Sequence, residues 1–251
     1  MITVKSAAEI ELMARAAEVV VDALREARRR VEPGVTTAAL DGAVRRAIEA
    51  AGARPAFLGY RGFPASTCIS LNEEVVHGIP SPERTVEAGD VVSIDVGVEL
   101  EGYFADAAFT FALGDDGLAL LAGGRRCLEA ALARCRAGAR LGDVSHAIER
   151  TAAANGFQVI REYVGHGIGT RMHEEPQVPN FGPAGKGPKL VPGMTLALEP
   201  MVVEGDWHTK VAGDEWTVVT KDGGLSAHFE HTVVVTENEP RVLTAGWEEF
   251  A

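Results

Sequence analysis

Four carboxylates stand inside apolar runs that contain no Lys or Arg: Asp95 in VVSIDVGV, Asp106 in GYFADAAFTF, Glu199 in MTLALEPMVV and Glu230 in HFEHTVVV. Taking an ionised carboxylate out of water leaves a penalty of roughly several kcal/mol even after relaxation. Side chains alternate faces along a strand. Asp95 then shares a face with Ser93 and Gly97, Asp106 with Ala108 and Thr110, Glu199 with Thr195 and Ala197, and Glu230 with His228 and Thr232. Each acid lies on the face of small or polar residues, which leaves room for a cleft. Two readings follow. The acids are unrelated and sit on solvent-facing edge strands, or they converge on divalent cations, joined by His166 from the flexible stretch GHGIG. The second explains all four at once and predicts a dinuclear metal site.

The rest of the chain permits such a site. With 251 residues, 46% of them hydrophobic, it can bury a full core. A net charge of −12 argues against nucleic-acid or anionic-membrane partners. The basic cluster of Arg25, Arg28, Arg29 and Arg30 closes an expected helix, where it reads as a solvated cap. No stretch has the length and apolarity of a signal peptide core or a membrane span. Cys68, Cys127 and Cys135 imply no disulfide: the last two sit eight residues apart on one expected helix, about 12 Å along its axis. A reducing cytoplasm is the expected location.

Helical spacing of Ile10, Met13, Ala17, Val20 and Leu24 follows a capping box at Ser6–Glu9 and ends at Pro33-Gly34. A second helix runs from about Thr37 to Ala51, and strands are expected around Ser66–Leu71, Val91–Val98 and Phe104–Ala112. The order then recurs. One helix is expected from Gly117 to near Gly138 and another from Asp143 to Asn155-Gly156, and LDGAVRRAIEAAG from Leu40 aligns with VSHAIERTAAANG from Val144. Two related halves, about 1–112 and 113–251, within a single catalytic domain of 1–251, are therefore expected. Asn180–Pro192 reads as a Pro/Gly-rich loop.

Oxygen-rich ligands with one imidazole suit Mn, Fe, Co or Zn as divalent ions. Two such ions about 3.5–4 Å apart can hold a bridging hydroxide and polarise a carbonyl, which is hydrolase chemistry. His77 in VVHGIP and His173 in RMHEEPQVPN lie in Gly/Pro-flanked loops, where catalytic groups are common.

The segments GYRGFPASTCISLNEEVVHGIP, SIDVG, GHGIG, HEEPQVPN, ALEPM and LSAHFEHTVVVT, in this order, resemble the type I methionine aminopeptidases over nearly the whole chain. The resemblance implies the pita-bread α/β fold, two pseudo-symmetric halves with antiparallel sheets around a dinuclear metal cleft. It implies removal of the initiator methionine from nascent polypeptide N-termini with a small second residue. Asp95, Asp106 and Glu230 would hold one metal, with Asp106 and Glu230 bridging, and His166 and Glu199 would complete the other. Glu199 would also manage the proton of the attacking water, while His77 and His173 would contact the scissile amide. Tyr60, Phe63, Cys68 and Trp216 would form the methionine pocket. Asn72, Glu74 and Ser226 fall where the family places a monovalent cation, Na or K. A monomer with transient ribosome association is expected.

Met172 stands where many relatives carry an aromatic residue, and His228 where they carry an uncharged polar one. Met is flexible enough to line a thioether pocket. The nearest rivals are proline-directed aminopeptidases, which carry a large additional N-terminal domain, and a non-catalytic pita-bread binding module, which would have lost ligands that are intact here. A type II enzyme would need a long insertion where only 33 positions separate His166 from Glu199. Ile2 is bulky and β-branched, so by this specificity the protein should not process itself. Intact mass should show a dominant species that retains Met1.

Overall fold

The computed structural model describes residues 2–249, so Met1 lies outside it. Helix α1 (Ala7–Arg30) starts at the expected capping box: Ser6 Oγ accepts from the Glu9 amide, and the Glu9 carboxylate accepts from the Ser6 amide at 2.7 Å. It buries Met13, Ala17, Val20 and Leu24, as their spacing predicts. Helix α2 (Thr37–Ala50) is capped by Thr36, and the chain turns after it at Gly52, whose φ of 76° suits a residue without Cβ. Arg28 departs from the solvated cap expected of its cluster. Its guanidinium lies 4.6 Å over the Phe111 ring, a cation–π contact.

Helix α3 (Leu118–Leu132) ends earlier than the pattern suggests. Tighter i→i+3 bonds from Arg134 to Ala131 and from Cys135 to Leu132 unwind the chain there. Cys135 therefore sits beyond the helix that holds Cys127, and all three cysteines are free and buried. Helix α4 (Leu141–Ala154) follows and packs on α3, as α1 packs on α2. No helix among the described residues is long and apolar enough to cross a membrane.

A 104-position displacement relates much of the two parts of the chain. It carries α2 onto α4, the short strand Arg54–Pro55 onto Gln158–Val159, and the bridge Thr36–Thr85 onto Arg140–Lys189. It also carries the strand Val91–Leu100 onto Thr195–Leu198 and Met201–Val203, and therefore Asp95 onto Glu199.

All paired strands run antiparallel. The hairpin of Val91–Leu100 and Tyr103–Ala112 forms one sheet with Cys68–Leu71 and Arg54–Pro55. A second sheet has the order Arg241–Val242, His231–Val234, Thr195–Leu198, Gly165–Gly167, Glu174–Val178. Two three-stranded sheets are centred on Met201–Val203 and Val218–Thr220. The Asp106 strand is clipped to the run from Ser226 to Val234. Thr110 Oγ1 accepts from the His228 amide and donates to its carbonyl, both at 2.8 Å. Thr232 Oγ1 accepts from the Asp106 amide at 2.9 Å and donates to its carbonyl at 2.8 Å, and the Glu230 amide donates to the Ala108 carbonyl at 2.8 Å.

Glu199 and Glu230 are not strand residues, contrary to the alternation argument. Glu199 follows Thr195–Leu198, and Glu230 lies between Ser226–His228 and His231–Val234. Pro200 cannot donate to a ladder, and the ladder breaks beside it. On one side Leu198 pairs with His231; on the other Met201 pairs with His228. Both strands change sheets at this corner, and the two glutamates occupy it.

Candidate metal centre

The eleven residues singled out as ligands, catalytic groups and pocket walls all line one cavity of about 280 Å³. Asp95 and Asp106 come from the hairpin, where Asp95 is opposite Ala108 and Asp106 opposite Gly97. A Cβ at Gly97 would lie 2.7 Å from the Phe57 ring, so this position takes no side chain as built. Glu199 and Glu230 come from the corner. His166 comes from Gly165–Gly167, a central strand of its sheet rather than a flexible stretch. The glycines of GHG permit close backbone approach: a Cβ at Gly165 would lie 2.5 Å from the Ala197 carbonyl, and one at Gly167 2.3 Å from that of Glu175.

Ligand-type atoms of Asp106, His166 and Glu230 lie within 4.8 Å of one another. His166 Nδ1 lies 2.9 Å from the Gly167 carbonyl, where it can donate, leaving Nε2 as a lone pair that faces Glu199 Oε1 at 3.4 Å. Asp95 Oδ1, Asp106 Oδ1 and Glu230 Oε1 are buried without a hydrogen-bond partner. Among the described lining residues, Arg61 alone is a Lys or Arg, and it is exposed at the mouth.

The electrostatics follow from this crowding. Burial and the charges of Asp106 and Glu199 push the Asp95 carboxyl well above its usual range. Burial and Asp106 do the same to Glu199, and burial with Asp106, Glu199 and Asp95 to Glu230. Asp106 rises to about 7 through burial, partly offset by hydrogen bonds with Asp95 and the Ala107 amide. Orphaned anionic oxygens beside an imidazole lone pair form a donor set that divalent cations satisfy.

His77 has a positive φ of 61° and packs edge-on against Tyr163 and Trp216. Burial lowers it to about 4. The His173 ring stacks on Tyr60 at 5.2 Å and tilts against His166 at 4.1 Å, and its Nδ1 meets the Tyr60 hydroxyl at 3.0 Å. Although His173 is exposed at its outer side, desolvation where the ring faces the cavity, with His166, Arg61 and His77 nearby, lowers it to about 3. Phe63 meets Trp216 edge-on at 5.1 Å, and Cys68 is buried opposite Asp95. Met172 is buried, and a Cβ at Gly97 would also lie 3.0 Å from its terminal methyl. His228 is buried with Nε2 unpartnered, 3.8 Å from Glu199 Oε2.

Asn72, Glu74 and Ser226 do not line this cavity. The Ser226 amide donates to the Asn72 carbonyl at 2.9 Å, and the Glu74 carboxylate is paired with Arg84. Sequence reasoning missed Thr232, which clips Asp106, and Asn180, whose amide donates to the Glu199 carbonyl at 3.1 Å. Both lay within quoted motifs, so the signal was present without a role attached. It also missed Trp247, whose indole N–H donates to the Glu230 carbonyl at 3.3 Å from beyond any motif.

Antiparallel sheets meeting at a cavity of unneutralised carboxylates are the architecture of a metal-dependent hydrolase. The model for metallopeptidase family M24 matches residues 11–237, and the chain belongs to that family. It is 47% identical to the methionine aminopeptidase of Clostridium acetobutylicum over 247 residues, 97% of this chain and 99% of that one. The crystal structure of the Thermotoga maritima methionine aminopeptidase superposes with a TM-score of 0.96 at 47% identity, covering 98% of this chain and all of that one. A prolidase from Pyrococcus furiosus shares the fold at a TM-score of 0.76 and 22% identity, with 97% of this chain covering 65% of its length. The architecture is thus the expected pita-bread fold. Membership of this family implies divalent metal ions.

Metal binding should displace protons, because raised carboxyl pKa values leave the metal-free cluster partly protonated near neutrality. Calorimetric titration with Mn²⁺ at pH 6.5, in buffers of different ionisation enthalpy, should show net proton release that shrinks as pH rises. Release unchanged by pH would contradict a raised carboxylate cluster.

Proposed function

We propose that this chain is a type I methionine aminopeptidase, hydrolysing the bond after an N-terminal methionine when the next residue is small. The observation that carries the reading is the convergence of two aspartates, two glutamates and an imidazole beside an aromatic-lined pocket in one cavity. The 47% identity to a methionine aminopeptidase across nearly the whole chain supports it.

Asp95, Asp106 and Glu230 would hold one divalent ion and His166 and Glu199 the other, with Asp106 and Glu230 shared between them. The compact arrangement of Asp106, His166 and Glu230 supports the bridging roles. Cobalt, manganese, iron or zinc suits these donors. When bound, such ions activate water and polarise the scissile carbonyl. Glu199, which faces the cavity beside the other acids, takes the proton of the attacking water and returns it to the leaving amine. His77 and His173 stay neutral near pH 7 and present N–H groups to the oxygen on which charge develops. A Tyr60 hydroxyl donating to His173 Nδ1 keeps the imidazole proton on Nε2.

Tyr60, Phe63, Cys68 and Trp216 enclose the methionine side chain, with His77 at the rim. A monovalent cation, Na or K, at Asn72, Glu74 and Ser226 would rest on main-chain carbonyls, because Arg84 occupies the Glu74 carboxylate. The reading takes 1–251 as one catalytic unit with halves 1–112 and 113–251. It acts as a cytoplasmic monomer on nascent polypeptide N-termini, with transient ribosome association. The acidic balance of −12 disfavours nucleic acid and membrane partners.

The deciding assay compares Met-Ala-Ser with Xaa-Pro peptides. Cleavage of the first alone is expected, and preference for the second would replace this reading with a proline-directed one. Glu199→Ala and Asp106→Ala should each lower kcat/KM more than tenfold, a loss above about 1.4 kcal/mol. His173→Ala should retain metal stoichiometry while kcat falls by about 10²-fold; altered stoichiometry with unchanged kcat would make His173 a ligand instead.

A further inference from the structure

Lys5 and Glu174 form an ion pair at 2.6 Å, with side-chain exposures of 5% and 2%. Burying such a pair confers little net stability over apolar packing of the same volume, so its placement calls for another explanation. The Glu174 carboxylate is shared between two segments. Its Oε1 accepts from the amides of Thr170 at 2.8 Å and Arg171 at 3.2 Å, which close the turn leading to His173. Its Oε2 accepts from Lys5 Nζ at 2.6 Å and Thr3 Oγ1 at 2.7 Å, and Lys5 Nζ also donates to Thr3 Oγ1 at 2.5 Å.

The surroundings are built to admit this arrangement. A Cβ at Gly169 would lie 2.3 Å from Lys5 Cε and 2.9 Å from Glu174 Oε1, so the ammonium reaches the carboxylate through space that a side chain would fill. The N-terminal strap that carries Thr3 and Lys5, residues 2–6, is fixed at both ends. The Lys5 amide donates to the Gly193 carbonyl at 2.8 Å, just ahead of the strand that leads to Glu199, and Ser6 caps α1 immediately afterwards. Ile2 packs against the core. On the other side of the turn, His173 adjoins Glu174 in the chain and meets Tyr60 and His166 across the cavity.

We propose that Thr3 and Lys5 are positioning residues which, through Glu174, hold the 170–173 turn so that His173 is set against the substrate before it binds. This rests on the catalytic reading of His173 given above. The Phe104 amide, donating to the Gly169 carbonyl at 2.8 Å, and the pairing of Glu174 with Gly167 hold the backbone of the turn, while the N-terminal strap supplies the donors to Glu174 Oε2. Without its two donors, Glu174 Oε2 loses its partners, and the carboxylate is left tied to the turn through Oε1 only, free to shift with it. Misplacement of a catalytic group by about 1 Å can cost on the order of 10²-fold in rate.

The test is a double-mutant cycle on metal-loaded enzyme with Met-Ala-Ser, using Lys5→Met and the milder Thr3→Val, each alone and combined with His173→Ala. Lys5→Met should lower kcat about 10- to 100-fold, with KM and calorimetric metal affinity within about twofold of wild type. In the His173→Ala background the same substitution should have no further effect, because coupled residues are not additive. A strap that only stabilised the fold would lower both backgrounds equally, and that result overturns the proposal, as does an unchanged kcat. If Lys5→Met does not fold, Thr3→Val and Glu174→Gln carry the same cycle. A side-chain NMR readout separates this proposal from the reading beneath it. The His173 ring resonance should move in the strap variants while that of the distant His146 stays. If His173→Ala cleaves normally, the catalytic reading fails; a stationary His173 resonance overturns the strap on its own.

Discussion

The mutual repulsion and desolvation of four carboxylates is the constraint on which the rest of this structure depends. Such a cluster is costly without cations, so its scaffold must hold the acids together against their own charge. Rigid backbone does this. Asp95 and Asp106 are fixed by a ten-residue ladder, and two threonine hydroxyls fasten that ladder to the run bearing Glu230. The glutamates sit where two strands leave one sheet for another, and there Pro200 withholds its donor, so the Phe229 amide donating to the Pro200 carbonyl at 3.2 Å is the bond that crosses the gap.

The same arrangement explains the histidines. A neutral imidazole beside anions requires burial to outweigh the attraction those anions exert on its proton. For His166 burial is the dominant influence, and its pKa falls to about 4 despite the nearby Glu174 charge. In the proposed mechanism His166 keeps a lone pair for a cation, whereas His173, with Tyr60 on Nδ1, keeps a proton to donate. Two identical side chains with ring centroids 4.1 Å apart thus meet different hydrogen-bond partners, which is what the proposed division of roles requires.

Much of this was legible in the chain because a buried acid without a cation has few explanations. Asp95 and Asp106 lie on regular strands, and alternation placed both correctly. Glu199 and Glu230 were recognised as cavity groups, but their apolar flanks hid the sheet switch, although Pro200 is the kind of residue that interrupts a ladder. GHGIG reads as flexible because glycine has two uses, freedom and close approach, and here the second governs. The end of α3 was misplaced because its apolar spacing continues into a turn. Lys5 and Glu174 gave no signal: their meaning lies in a contact across 169 positions.

That separation bears on how the protein comes into being. Lys5 is made near the start of synthesis and waits for Glu174, while Asp106 waits a further 126 positions beyond itself for Thr232. Contacts this distant in sequence form slowly and late, since loop closure precedes their reward. Helices α1 and α2 can pair soon after they are made, but a chain halted before Phe229 would hold three of the four acids and no closing ladder. The cleft is among the last parts of the molecule to exist.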